Sequence, residues 1–239
     1  MSWSSLDRAR RMWASLARVP VTFPRRGGVE VVVAPESLLC PPGWAGVVAL
    51  DAAVLATVPH AELIEPLRDA LVRQVTETGV DLGRLPSQLP VAEVLGPATL
   101  AYLDAEDFVA AGHAGVASVP ADHHDVRALV ASVPKEEAEE SGLDEITSAA
   151  FVIRGAGQDV VAVAGYRSWV DMAAHLSVLT APRHRGRGLA RQVASTAVAD
   201  ALAGGLLPQW RARPEASRRV ARALGFREWG SQLSLRLQR

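Results

Sequence analysis

Between Pro182 and the alanine-rich run that opens at Leu189, the chain reads Arg183-His184-Arg185-Gly186-Arg187-Gly188-Leu189-Ala190. Three arginines and two glycines at this spacing are the residue types that hold a phosphate. Glycine removes the side chain that would keep a ligand away from the backbone. The first amides of a helix have no partner inside it and sit at the positive end of its dipole. A helix that starts directly after such a turn is therefore an anion site, suited to a pyrophosphate, and Arg183, Arg185 and Arg187 add charge around it. Two nucleotide-binding alternatives fail on spacing. No Gly-Lys-Ser/Thr follows, as a Walker A loop requires, and the glycines do not fall in a Gly-x-Gly-x-x-Gly fingerprint closed by an acidic residue.

Two other constellations invite chemistry and lead to less. His123-His124-Asp125 has metal-ligating types, but adjacent histidines on a helix are expected to point apart, and no third partner has ligand spacing. No metal is expected. Cys40, the single cysteine, would need a matched histidine to act as a nucleophile, and the sequence nominates none.

The elements that must position the turn can be read around it. His175–Thr180 is a strand, and the helix that follows the turn runs over Gly188–Ala203, closed by Gly204-Gly205. Ahead of that strand, Ala149–Ile153 and Asp159–Tyr166 are apolar runs separated by Gly155-Ala156-Gly157-Gln158, a hairpin pattern. Val116–Val119 reads as a short strand, Asp122–Ser132 as a helix and Lys135–Glu140 as a solvated helix face. Downstream lie a strand at Gln209–Ala212, a helix at Ser217–Leu224 ending at Gly225, and a strand at Gln232–Leu237. The first half is less regular. Ser4–Arg18 reads as a helix capped by Ser4 or Ser5, and Val29–Ala34 as a strand. Ala45–Val58 is an apolar segment, strand-like at its start. Leu63–Glu77 has helical spacing with Gly79 as its stop, and Pro86, Pro90, Gly96 and Pro97 mark turns and short elements. The expected class is α/β, an α+β mixed sheet, divided into an N-terminal α/β region over 1–110 and a C-terminal domain over 111–239.

Bulk properties narrow the partners. The 239 residues carry a net charge of −1, so no global field attracts nucleic acid or an anionic membrane. The longest apolar stretch, Val47–Val58, is interrupted by Asp51 and is too short to cross a bilayer. Nothing resembles a signal peptide, and one cysteine fits a reducing, cytoplasmic setting.

The turn resembles motif A of the GNAT superfamily of acyl-CoA-dependent N-acyltransferases, Arg/Gln-x-x-Gly-x-Gly/Ala. Arg185, Gly188 and Ala190 match it, and Arg183, Gly186 and Gly188 form an overlapping register. Ala223-Leu224-Gly225-Phe226 is similar to the Leu-Gly-Phe stop of the family's last helix, and the likeness runs from about Val116 to Arg239. It implies a GNAT fold in the C-terminal half, with acetyl-CoA or another acyl-CoA as cofactor. The edge of Val178, Leu179 and Thr180 would hold the pantetheine arm. The amides of Arg185 through Ala190 (Arg185, Gly186, Arg187, Gly188, Leu189 and Ala190) would hold the pyrophosphate, with Arg183 contributing charge. The implied activity is acetyl or short-acyl transfer to the amine of a small molecule or peptide. More loosely, Gly96-Pro97-Ala98-Thr99-Leu100-Ala101-Tyr102 resembles the N-terminal extensions of some bacterial two-part GNAT proteins. Such an extension is either an acceptor lid or a degenerate second copy that packs and dimerises.

The resemblance has gaps where catalysis would sit. Many members carry an asparagine and a general-acid tyrosine ahead of the Gly-Phe pair, where this chain has Pro214 and Ala221. Ser217 lies one turn back. His175 is the candidate base and Tyr166 a candidate donor, with Asp171 and Glu145 as alternative bases; Trp44, Tyr102 and Trp169 are aromatic candidates for an acceptor pocket. A catalytically impaired acyl-CoA sensor is the alternative reading.

Overall fold

The computed structural model describes residues 3–77, 79–112 and 115–238. In chain order the elements are α1 (Ser5–Leu16), β1 (Val29–Val33), β2 (Ala45–Leu50), β3 (Ala53–Val58), α2 (Ile64–Val72), β4 (Val75–Thr76), β5 (Gly79–Val80) and β6 (Val91–Tyr102). Next come β7 (Val116–Val119), α3 (His124–Ala131), α4 (Lys135–Ser141), β8 (Ala150–Arg154), β9 (Val160–Trp169) and β10 (Ala173–Thr180). The chain ends with α5 (Leu189–Ala203), β11 (Leu207–Ala212), α6 (Glu215–Ala223) and β12 (Arg227–Leu237). The fold is mixed α/β, and its strands form two compact units that interleave in sequence. One comprises Met1–Tyr102, Arg211–Glu215 and Glu228–Arg239; the other comprises Leu103–Trp210 and Ala216–Arg227.

In the first unit the strands run β1-β3-β2-β12-β6. Every residue of β2 and β3 is buried, as continuous apolar runs in central strands must be. The segment Ala45–Val58 folds as a hairpin because Asp51 and Ala52 both adopt left-handed conformations, at φ 47° and 59°, the requirement of a tight two-residue turn. Helix α2 stops at Val72, well short of Glu77. The β-branched Val75 and Thr76 pair instead with Val80 and Gly79, so Gly79 belongs to a two-strand ribbon rather than to a helix stop. The proline-punctuated stretch contains a twelve-residue strand, β6. Its first half is largely exposed, Val94 and Leu95 being 41% and 48% accessible, so the alternation that reveals a half-buried strand is missing.

In the second unit the order is β11-β10-β9-β8-β7. All neighbours are antiparallel except β10 and β11, which are parallel. Register fixes the two faces. His175 lies opposite Arg167, and Leu176 opposite Tyr166; the side chains of a pair share a face and successive residues alternate. Helix α5 covers the face of Leu176, Val178 and Tyr166, burying Val193, Ala197, Val198 and Ala201; each valine contributes roughly 1.5–3 kcal/mol. On the other face, Leu179 and Val163 pack with Val126, Leu129 and Leu143 from α3 and the segment after α4.

Candidate functional site

Strand β10 ends at Thr180 and a single 3-10 turn, Pro182–His184, leads into the glycines. Gly186 and Gly188 stand at φ +74° and +77°, the left-handed region that side chains resist. Around the position of a Cβ at either glycine nothing lies within 4 Å, so the turn presents open backbone. No side chain caps α5. Its hydrogen bonding begins with the Gln192 amide, which donates to Gly188 O at 3.2 Å. The amides of Leu189, Ala190 and Arg191 precede that first bond and are left for a ligand.

Arg185 behaves differently from its neighbours. Its amide donates to Pro182 O at 3.4 Å, its Nε donates to Thr180 O at 3.2 Å, and its guanidinium pairs with Glu137 of α4. It braces the turn against the end of β10 and against α4. The outward amides thus begin at Gly186, one residue later than the motif alone suggests.

At its other end β10 meets β11. The parallel pairing covers Ala173–His175 against Leu207–Gln209. Beyond it, Leu176–Thr180 runs on without β11. Ala181 N donates to Val161 O at 2.9 Å, which by alternation turns the backbone groups of Leu179 toward β9, so those of Val178 face the open side and can take strand-like pairing. At the last paired position His175 Nδ1 makes a short hydrogen bond to Gln209 Oε1, and the indole of Trp169 stacks on the imidazole, 4.3 Å between centroids and 19° from parallel.

Among the described residues, five buried side-chain polar atoms lack a hydrogen-bond partner: Arg10 Nε, Thr180 Oγ1, Arg191 Nε, Gln209 Nε2 and Trp229 Nε1. Three of them bracket this region, at the end of β10, in the first turn of α5 and on β11. An unpaired buried polar group costs about 1–3 kcal/mol, and such groups call for an explanation.

The three catalytic candidates do not converge. Tyr166 points to the α5 face, where its Oη donates to Asp200 Oδ2 at 2.7 Å. Burial, and next that carboxylate, push its hydroxyl up to about 12. His175 is on the opposite face. Ser217 of α6 accepts from Trp210 Nε1 at 3.0 Å, and Ala221, at the family's tyrosine position, is buried. Of the alternative bases, Glu145 pairs with Arg167 at 2.5 Å and Asp171 sits in the left-handed turn between β9 and β10. Gln209, Glu137 and Asp200 escaped the sequence reading. Only Gln209 left a signal there, an amide among the apolar residues Leu207, Pro208 and Trp210.

The expectation that His123 and His124 diverge is corrected. His123 is the N-cap of α3, its Nδ1 accepting from the Asp125 amide at 3.2 Å, so it lies outside the helix and its ring stacks on His124 at 4.4 Å. With Asp125 they bring three ligand atoms within 4.8 Å of one another. The carboxylate is already engaged, by Arg154 at 2.6 Å and His124 at 2.9 Å. Burial pushes the Cys40 thiol up to about 11, and its Sγ donates to Trp44 O at 3.2 Å. No helix among the described residues is long and apolar enough to cross a membrane.

Residues 150–231 match the family model of the GNAT acetyltransferases. That span contains β8 to β11, the glycine turn, α5 and α6. Over that third of the chain the protein is similar to a GNAT acetyltransferase domain. Solved structures are similar in fold. A GNAT-family protein from Novosphingobium aromaticivorans is 23% identical, with a TM-score of 0.51 over 61% of this chain and 65% of that one. A GCN5-related N-acetyltransferase from Kribbella flavida is 20% identical, with a TM-score of 0.49 over 64% and 62%. The chain thus spans slightly less than two thirds of each. Among curated proteins no relative is found. The family's Leu-Gly-Phe stop has a steric reason here: Gly225 stands at φ +97°, and a Cβ on it would lie 2.0 Å from Asp107 O.

Proposed function

We propose that this protein transfers an acetyl or other short acyl group from acyl-CoA to the amine of a small molecule or peptide. The observation that carries the reading is the left-handed Gly186–Gly188 turn feeding an α5 without a side-chain cap. The open edge of β10 and the unpartnered Thr180 Oγ1 and Arg191 Nε support it.

In this reading the amides of Gly186 through Arg191 hold the pyrophosphate, with Arg183 and Arg187 adding charge and Arg185 keeping the turn in shape. Val178 pairs through its backbone with the pantetheine arm. When bound, the thioester supplies an activated carbonyl: its C–S bond breaks as the amine nitrogen forms the amide, and sulfur leaves as thiolate. His175 takes one proton from the acceptor ammonium so that the nitrogen lone pair is available. His175 passes that proton on to solvent, and the second proton, shed by the nitrogen as the C–N bond forms, goes to the thiolate, directly or through water. With a thiol pKa near ~8.5 the leaving group needs no dedicated acid, which fits Ala221 in place of a tyrosine. Tyr166, held by Asp200, and Ser217, engaged by Trp210, are assigned supporting roles.

Calorimetry with acetyl-CoA, followed by thiol release across a panel of amines, tests the reading. Saturable binding and amine-dependent release are expected. Absence of saturable binding overturns it, and binding without release for any amine selects the acyl-CoA sensor instead.

A further inference from the structure

We propose that Gln209 is a positioning residue that sets the tautomer of His175. The inference rests on the reading of His175 as the base and goes one step deeper into it. A glutamine Oε1 can only accept. The imidazole nitrogen facing it, Nδ1, must therefore carry the hydrogen. In the neutral ring the lone pair then belongs to Nε2. An orienting acceptor behind a histidine is the usual means of deciding which ring nitrogen does the chemistry.

Three further features mark Gln209 as placed for this purpose rather than for packing. It is fully buried, in a strand whose neighbours Leu207 and Trp210 are apolar core residues. Its Nε2 has no hydrogen-bond partner among the described residues, so the position carries a desolvation cost that leucine would avoid. It also stands at the last register pair of β10 and β11, where the open edge of β10 begins. Trp169, stacked on the ring, fixes the imidazole plane, so Gln209 decides which nitrogen is protonated while the indole decides where it points. Arg167 stands directly across on β9, and Glu145 pairs with it at 2.5 Å. Neither is the Nδ1 partner.

The test reads the tautomer directly in the ligand-free protein and so does not depend on acyl-CoA binding. Long-range proton–nitrogen NMR of histidine-labelled protein, with the His175 signals assigned by their loss in His175→Asn, should show Nδ1–H in the neutral ring. Gln209→Leu should move the population toward Nε2–H. It should also leave the melting temperature unchanged or raised and lower kcat about tenfold or more, with acetyl-CoA affinity held within about threefold. Gln209→Glu should raise the His175 pKa and move the acid limb of the kcat/KM profile upward by about one unit. An Nε2–H tautomer in the wild type, or an unaltered tautomer in Gln209→Leu, overturns the proposal. So does an acid limb that stays in place in Gln209→Glu while the NMR pKa rises. If the tautomer behaves as expected but acetyl-CoA does not bind, the acyltransfer reading fails and the positioning of His175 by Gln209 stands.

Discussion

The two ends of β10 are built from different materials. At the C-terminal end the groups on offer are backbone amides, exposed by the positive φ of Gly186 and Gly188 and by an α5 that no side chain caps. At the N-terminal end they are side chains: His175 against Gln209, with Trp169 stacked above. A backbone site tolerates changes in side-chain chemistry but not in conformation, because its donors exist in every residue. A side-chain site tolerates the reverse. Residues that look alike in importance should therefore fail in different ways.

The largest effect is expected at the backbone end. Gly188→Val forces a β-branched residue into the left-handed region and covers the open amides, and should weaken acetyl-CoA about 100-fold or more, which is roughly 2.7 kcal/mol. Calorimetry checks this, with circular dichroism to show that α5 persists; near-normal affinity would break the comparison. At the side-chain end His175→Ala should lower kcat/KM about 10²- to 10⁴-fold while acetyl-CoA affinity moves less than about threefold. Equal losses in both quantities would mean that the two ends are one site. Glu137→Gln releases the half-exposed Arg185 from its ion pair and should raise the Kd only about two- to fivefold, more at low salt than at high, as befits an ion pair of this exposure.

The smallest effect on catalysis is expected from Asp200→Asn, within about twofold in kcat, although it changes a titration. Both tyrosines ionise above the ordinary value near 10, Tyr102 through burial beside Trp13 and Tyr166 through burial and the Asp200 carboxylate. Because folding raises the Tyr166 pKa to about 12, its contribution to stability is fully present below about pH 10 and is lost as pH rises through 12. An alkaline absorbance titration should show no tyrosine ionising at the usual pH in the wild type. In Asp200→Asn one transition should move down, and the loss of stability above about pH 10 should be smaller and end at lower pH.

The turn could be read from the chain because its causes are local. Two glycines, arginines and the onset of an alanine-rich run lie within a few residues, and the left-handed conformations, the strand before them and the helix after them follow at short range. The same is true of the β8–β9 hairpin, of α5, and of Gly225 as the end of α6. Where causes were distant the reading fell short. Helix α2 looked five residues longer than it is, because the pairing of Val75 and Thr76 with the next strand competes with helical spacing. Strand β6 was concealed by its prolines and its exposed half. His123 looked like a helical residue, and only its role as the N-cap of α3 brings its ring onto His124.

What the sequence by itself determined is an open glycine turn between a strand and a helix, in a mixed α/β fold. Backbone conformation is encoded by the few residues that adopt it, so this much needs no partner from elsewhere in the chain. Only the tertiary structure decided which side chains meet. His175 stands 34 positions from Gln209 in the chain, and Tyr166 stands 34 from Asp200. Strand register and helix packing join the first pair on one face of the sheet and the second on the other. A shift of one residue in that register would exchange the faces, and no property of either residue alone records which alternative the fold selects.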